Sequence, residues 1–288
     1  MKNIFGSKYL NPLTDFGLKK IFIAEENKDI LIDLLNELIV REDKIVDLVY
    51  QRPAERLGDK KSIFDIYCKT DKEEYCVVEI QKMKQVHFKD RSIYHSTFPI
   101  QEQIVSNGWS YGLQAIYTIA ILDFTLFNEV GEDKNCCREE VKLMRTSTKT
   151  VFYDKLSYIY IELPKFSKSL NELKTKFDCW MYILQRLSTL HDRPKELKGK
   201  IFDKLFKIAE INSLTPQEVI DYNKSILEYS DVKDAANYLR EEGFQYGKKE
   251  GHKEALKNIT KILLLENKSI DTIVKYTGLT AEEIEALK

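Results

Sequence analysis

Asp65 and Glu79 interrupt two consecutive strand-like runs. Ser62-Ile63-Phe64-Asp65-Ile66-Tyr67-Cys68 and Tyr75-Cys76-Val77-Val78-Glu79-Ile80-Gln81 are otherwise rich in β-branched and aromatic residues. A carboxylate buried without a partner costs several kcal/mol, so each acid needs a counter-ion, a hydrogen-bond network or a metal. The polar stretch Thr70-Asp71-Lys72-Glu73-Glu74 between the runs reads as a hairpin turn. If the loop closes about Lys72, residues whose numbers add to 144 face each other, which sets Asp65 against Glu79. Directly opposed Cβ atoms lie roughly 4.5–5.5 Å apart, a spacing that lets two acids share one divalent cation. Gln81 lies at i+2 from Glu79 and shares its face. A slip of one residue would separate the pair.

The rest of the chain limits what can surround this hairpin. A length of 288 residues allows one large domain, or one domain with an appendage. The 43% apolar content supplies a core, while 32% charge and a mean hydropathy of -0.38 predict a soluble protein. Net charge is -1, so a polyanion would have to be met by a local basic patch. Five cysteines without paired spacing predict reduced thiols and a cytoplasmic location. The vicinal Cys136-Cys137 lacks the further ligands of a zinc site. Met1 to Gly6 has no apolar signal core. The longest strongly apolar stretch, 115–122, is far short of the ~20 residues a membrane span needs, so no membrane association is expected.

Apolar spacing predicts helices over 14–25 and 28–40, the second burying Ile30, Leu31, Leu34, Leu35 and Leu38. Strands follow at 45–52, 62–68 and 75–81, then a helix over 89–110. The β-branched run 113–122 predicts a strand covered on both faces. The order helix–strand–strand–strand–helix–strand describes a mixed α/β sheet. Further strands are expected at 139–146 and 157–163, the latter stopped by Pro164. Helices are then expected over 168–190, 195–211, 216–229 and 231–265. Thr215 to Glu218 has capping-box spacing. Gly243, Gly247 and Gly251 suggest a flexible connector. Two short helices around Thr277-Gly278-Leu279-Thr280 end the chain in a helix-turn-helix-like arrangement. Its second helix is acidic, which favours a packing or oligomerisation module over a DNA reader. These boundaries give a core over 1–165, a helical extension over 166–230 and a helical tail over 231–288, with a homodimer formed through the tail.

The chain has four histidines, no serine in a Gly-x-Ser-x-Gly setting and no phosphate-cradling glycine loop. Serine hydrolases, P-loop enzymes and dinucleotide dehydrogenases are therefore disfavoured, and hard oxygen ligands remain. Asp65 and Glu79 suit Mg²⁺ or Mn²⁺, which could activate water and neutralise charge on a phosphodiester. The bland alternative is a half-exposed hairpin face whose acids pair with Lys60, Lys61 or Lys82. Just downstream, Lys82, Lys84, Lys89 and Arg91 form a basic segment suited to phosphates, or simply a solvated helix entry.

With Asp on the second strand and Glu-x-Gln on the third, the αβββαβ order resembles the PD-(D/E)XK nuclease core. More narrowly, the chain resembles the Rpn recombination-promoting nuclease and transposase group. The residues that carry this are 11–22 (Asn-Pro-Leu-Thr-Asp-Phe-Gly-Leu-Lys-Lys-Ile-Phe), Asp65 and Val78-Glu79-Ile80-Gln81. Arg91, Tyr94, Gln103, Gly108-Trp109-Ser110-Tyr111 and the 243–288 tail add to it. The resemblance implies a PD-(D/E)XK core with helical C-terminal additions and Mg²⁺- or Mn²⁺-dependent cleavage of DNA, linked to recombination or mobility. Asp65, Glu79 and the Ile80 carbonyl would hold the metal, and Gln81 would join the two acids in catalysis. Gln81 stands where the wider superfamily has lysine. It can orient a water or a phosphate oxygen, but it carries no charge, and charge-assisted hydrogen bonds are roughly twice as strong as neutral ones. Slower or more metal-dependent chemistry is the expectation. Lys82, on the opposite strand face, is not expected to substitute. Glu37 is a further candidate acid for the metal. The competing expectation is a non-catalytic, nuclease-like DNA-binding or protein-interaction module.

Overall fold

A computed structural model describes residues 6–51, 65–106, 112–127 and 135–287. The chain divides into two compact units, Met1–Val232 and Lys233–Lys288.

The first unit is built on a six-stranded mixed sheet. Its strands are β1 (Leu48–Tyr50), β2 (Ile66–Thr70), β3 (Tyr75–Gln81), β4 (Ile116–Leu122), β5 (Arg138–Met144) and β6 (Val151–Glu162), in spatial order β1-β2-β3-β4-β6-β5. The hairpin register is the one the sequence predicts. Ile66 faces Val78 and Cys68 faces Cys76, antiparallel, and the continuation sets Asp65 against Glu79. Thr70 N donates to Glu74 O at 2.8 Å, and Glu73 takes a left-handed φ of 64° in the three-residue loop, a common way to close such hairpins. β3 and β4 run parallel, with Glu79 beside Ala120, and β4 pairs in parallel with β6.

Both faces of the sheet are covered. On one side, Cys76, Val78, Ile80, Ile119 and Ile121 join a large cluster with α2 (Lys28–Leu38), α4 (Lys176–Arg186) and α5 (Lys200–Ala209). The stripe Ile30, Leu31, Leu34, Leu35 and Leu38 buries the expected face of α2, each side chain contributing about 1.5–3 kcal/mol. Trp180 of α4 is fully buried between Phe22 and Phe202, and its indole N–H donates to Asp33 at 2.8 Å. The helical extension therefore shares one core with the sheet. On the other side lies α3 (Phe88–Ser106), whose Phe98 packs with Tyr75, Val77 and Ile116.

The expected 14–25 helix is shorter and less regular, with α1 (Asp15–Leu18) followed by a π-helical turn over Lys19–Ile23. β6 begins at Val151, six residues before the expected strand, and pairs with the edge strand β5 as a hairpin. The break expected near 230 is absent, because α6 runs unbroken over Pro216–Leu265 and carries Gly243, Gly247 and Gly251 within it. Each glycine costs a helix about 1 kcal/mol, too little to stop one flanked by Glu, Lys, Arg and Ala. Its start is the predicted capping box, with Thr215 N donating to Glu218 at 2.8 Å and Glu218 N donating to the Thr215 hydroxyl at 3.3 Å.

In the second unit, α7 (Ile270–Thr277) and α8 (Ala281–Glu285) pack on each other and bury Ile273 and Ile284. Gly278 ends α7 with a φ of 69°, a conformation that favours glycine. All five cysteines are free thiols. No helix among the described residues is long and apolar enough to cross a membrane.

Candidate active site

Strand alternation puts Tyr75, Val77, Glu79 and Gln81 on the face of β3 that α3 covers. Along α3, Arg91, His95 and Phe98 stand at i, i+4 and i+7 and share one helix face. The two rows mesh: Phe98 meets Tyr75 and Val77, while His95 meets Glu79. Glu79 is 4% exposed and thus a buried acid inside a strand. His95 Nδ1 contacts Glu79 Oε1, Gln81 Nε2 donates to Oε2 at 3.3 Å, and Arg91 Nε lies 3.9 Å from Oε2. Burial pushes the His95 imidazole down to about 4, so it is neutral near pH 7. Its Nδ1–H tautomer donates to Glu79.

Asp65 immediately precedes β2, and its Oδ2 accepts the Ile80 backbone N–H at 2.6 Å. Although the residue is solvent-open, desolvation on its protein-facing side raises its carboxyl above the usual range. The charge of Asp15 adds to that rise, whereas the Ile80 hydrogen bond, Arg91 and Lys82 oppose it. A strand residue's N–H and C=O point to the same edge, so the Ile80 carbonyl faces Asp65 as well.

The N-terminal motif forms a further wall. Asn11 folds a tight turn in which Leu13 N donates to its side chain and the Thr14 hydroxyl donates to its carbonyl, at 2.9 and 2.8 Å. Thr14 Oγ1 then caps α1 by accepting from Gly17 N at 3.0 Å. Helix α6 holds this turn in place. The Tyr222 hydroxyl accepts from Asn11 N, Ser225 Oγ accepts from Phe16 N, and Glu218 pairs with Lys20 at 2.6 Å. Farther along α6, the Tyr229 hydroxyl donates to Asp123, the residue that follows β4.

The four basic candidates have different surroundings. Arg91 reaches Glu79 and also donates to Gln85 at 3.3 Å. Lys82 lies 5.4 Å above the Tyr229 ring. Because β3 ends at Gln81, strand alternation does not hold Lys82 on the far face, and its charge acts on Asp65 contrary to expectation. Lys84 donates to the Leu126 carbonyl at 3.5 Å, and Lys89 sits 5.0 Å above the Phe127 ring. The loop carrying Leu126 and Phe127 is fixed by Glu162, a fully buried acid that accepts from both backbone N–H groups and pairs with Lys165 at 2.7 Å.

Glu37 is not part of this constellation, since its charge acts on the Cys179 thiol of α4. Lys60, Lys61 and Gly108-Trp109-Ser110-Tyr111 lie outside the described residues. Sequence reasoning missed His95 and Asp15. The i, i+4, i+7 row on α3 was the signal for His95; Asp15 stood in the motif already quoted, but nothing local marked its charge as acting on Asp65. Two carboxylates and a main-chain carbonyl are hard oxygen donors of the kind Mg²⁺ takes, completed by several waters. Among the described residues no group of three or more His, Cys, Asp or Glu gathers to hold an ion.

This sheet order, with an opposed Asp and Glu at the ends of β2 and β3, defines a PD-(D/E)XK-like protein. The profile of the PD-(D/E)XK nuclease family transposases matches residues 12–239, and the chain belongs to that family. No curated protein and no solved structure shows significant similarity to the chain.

Proposed function

We propose that the protein is a Mg²⁺- or Mn²⁺-dependent DNA endonuclease that cleaves phosphodiester bonds in the service of DNA recombination or mobility. The observation that carries this is Asp65 opposed to Glu79, with Arg91 and Lys82 in electrostatic reach of the acids. Asp65, Glu79 and the Ile80 carbonyl would hold the divalent cation, which when bound supplies an activated water and charge neutralisation at the phosphate. His95 fixes the rotamer of Glu79 and stays neutral, so it does not compete as a counter-ion. The Gln81 amide, which donates to Glu79 at 3.3 Å, orients a water or a phosphate oxygen. Arg91, rather than Gln81, provides the fixed positive charge for the developing phosphorane, with a geometry suited to bidentate phosphate contact. Lys82, Lys84 and Lys89 continue the positive rim and would position the DNA backbone without reading its sequence. The charge of Asp15, which also pairs with Lys19 at 2.8 Å, acts on Asp65.

The test is DNA cleavage by the purified full-length chain with Mg²⁺ or Mn²⁺, alongside calorimetric Mn²⁺ binding. Asp65→Ala and Glu79→Ala should each abolish cleavage and weaken Mn²⁺ binding. Wild-type activity in either variant would refute the assignment. One observation favours a second reading: both Glu79 oxygens are already engaged by their own chain. A non-catalytic DNA-binding or protein-interaction role would follow if the wild type bound no Mn²⁺ and cut nothing.

A further inference from the structure

Helix α6 leaves a long stretch uncovered, since every residue from 237 to 255 is exposed. Most helical stability in proteins comes from packing of a face against a neighbour, and this stretch leaves Tyr238, Leu239, Phe244 and Tyr246 at 59–70% exposure. Its charge is segregated. Residues 231–242 carry four acids and two bases, whereas 243–261 carry five lysines and two acids.

The placement of these charges is more specific than their sum. Tyr238, Gln245, His252 and Ile259 recur every seven residues, which is close to two helical turns, so they form one line along the helix. Glu241 and Lys248 flank that line on one side, and Glu242 and Lys249 flank it on the other. A twofold axis at Gln245, perpendicular to the helix, sets two copies antiparallel and keeps each flank on its own side. Glu241 then meets Lys248 of the second copy, and Glu242 meets Lys249 of the second copy, each contact occurring twice. Tyr238 falls opposite His252 of the second copy. Among the described residues, Glu241 and Glu242 accept only from Gln245 and Tyr238, at 2.7 and 2.8 Å. Lys248 and Lys249 form no ion pair among the described residues. The three glycines lie on the opposite side of the helix, with open space around them, and take no part. A parallel pairing in register would set Glu against Glu and Lys against Lys, at a cost.

We infer that the exposed segment of α6 is a self-recognition surface whose occupant is the same segment of a second copy, paired antiparallel about Gln245. This is independent of the nuclease reading. The experiment measures the mass of the full chain by sedimentation velocity at tens of micromolar, with circular dichroism to verify helicity. The wild type should sediment as twice the 33.8 kDa chain. Glu241→Lys/Glu242→Lys and Lys248→Glu/Lys249→Glu should each fall to monomer mass, because each double variant opposes like charges at all four contacts. Mixing the two variants should restore the dimer, since every contact is then between opposite charges. A monomeric wild type, variants that remain dimeric, or a mixture that stays monomeric would each overturn the inference.

Discussion

Gly17→Ala separates two physical effects of opposite sign. Gly17 is the third residue of α1, and replacing a helical glycine by alanine ordinarily gains up to about 1 kcal/mol. Here the added Cβ would stand 2.0 Å from the Asn11 carbonyl oxygen and 2.9 Å from Thr14 Oγ1. The carbonyl cannot yield alone, because it accepts from Thr14 N at 3.2 Å and from Thr14 Oγ1 at 2.8 Å. The Asn11 backbone is itself tied to Tyr222 of α6. Overpacking costs about 1–3 kcal/mol, and two loosened hydrogen bonds cost about 1 kcal/mol each. The net expectation is destabilisation by roughly 2–4 kcal/mol after the propensity gain is subtracted. In urea denaturation, with a slope near 3 kcal/mol/M, the midpoint should fall by about 1 M at unchanged slope. Gly243→Ala is the control, since open space surrounds that glycine within α6 and only the propensity gain remains. A Gly17→Ala midpoint equal to or above wild type would refute the steric reading of the motif glycine.

Two further outcomes follow from the packing. Trp180→Ala should destabilise the first unit by about 3–5 kcal/mol, because it removes a fully buried ring and leaves Asp33 without its indole donor; thermal or urea unfolding reads this directly, and a loss under 1 kcal/mol would contradict the packing. Lys20 lowers the Glu218 carboxyl from 4.5 to about 2. That contribution is present above pH 4.5 and is lost as pH falls toward 2. Wild type and Glu218→Gln should therefore differ by up to about 1 kcal/mol at pH 6, given the solvent screening of a surface pair, and converge near pH 2. A difference that grew on acidification would have the wrong sign.

The hairpin was legible because its determinants are local. The β-branched and aromatic run of 75–81, the polar loop about Lys72 and the opposed numbering of Asp65 and Glu79 all lie within seventeen residues. Helix α2 and the Thr215 capping box were legible for the same reason. The continuity of α6 was not, because three glycines weigh heavily in a local reading while the good helix formers around them act collectively. The surroundings of Glu79 depended on a residue sixteen positions farther on, in a largely polar helix whose one signal was the row of Arg91, His95 and Phe98. His95 sits there as one of several polar side chains, and only its i–4 and i+3 spacings connect it to Arg91 and Phe98 on the same face.

The helical half of the first unit is a wall of the candidate site as well as an addition to the fold. The family match ends at residue 239 and therefore includes the part of α6 that bears Glu218, Tyr222, Ser225 and Tyr229. The first three of these hold the Asn11–Lys20 segment that carries Asp15, whose charge acts on Asp65, and the fourth joins Asp123 beneath the Lys82 ammonium. Local sequence at the two acids sets which oxygens can meet a cation. Which charges surround them is set by a helix more than 130 residues away, so loosening α6 would move Asp15 and Lys82 together while leaving the hairpin register intact. On the proposed function, substitutions at Tyr222 or Ser225 would lower the cleavage rate without removing a ligand or a phosphate contact, through the field and geometry at Asp65.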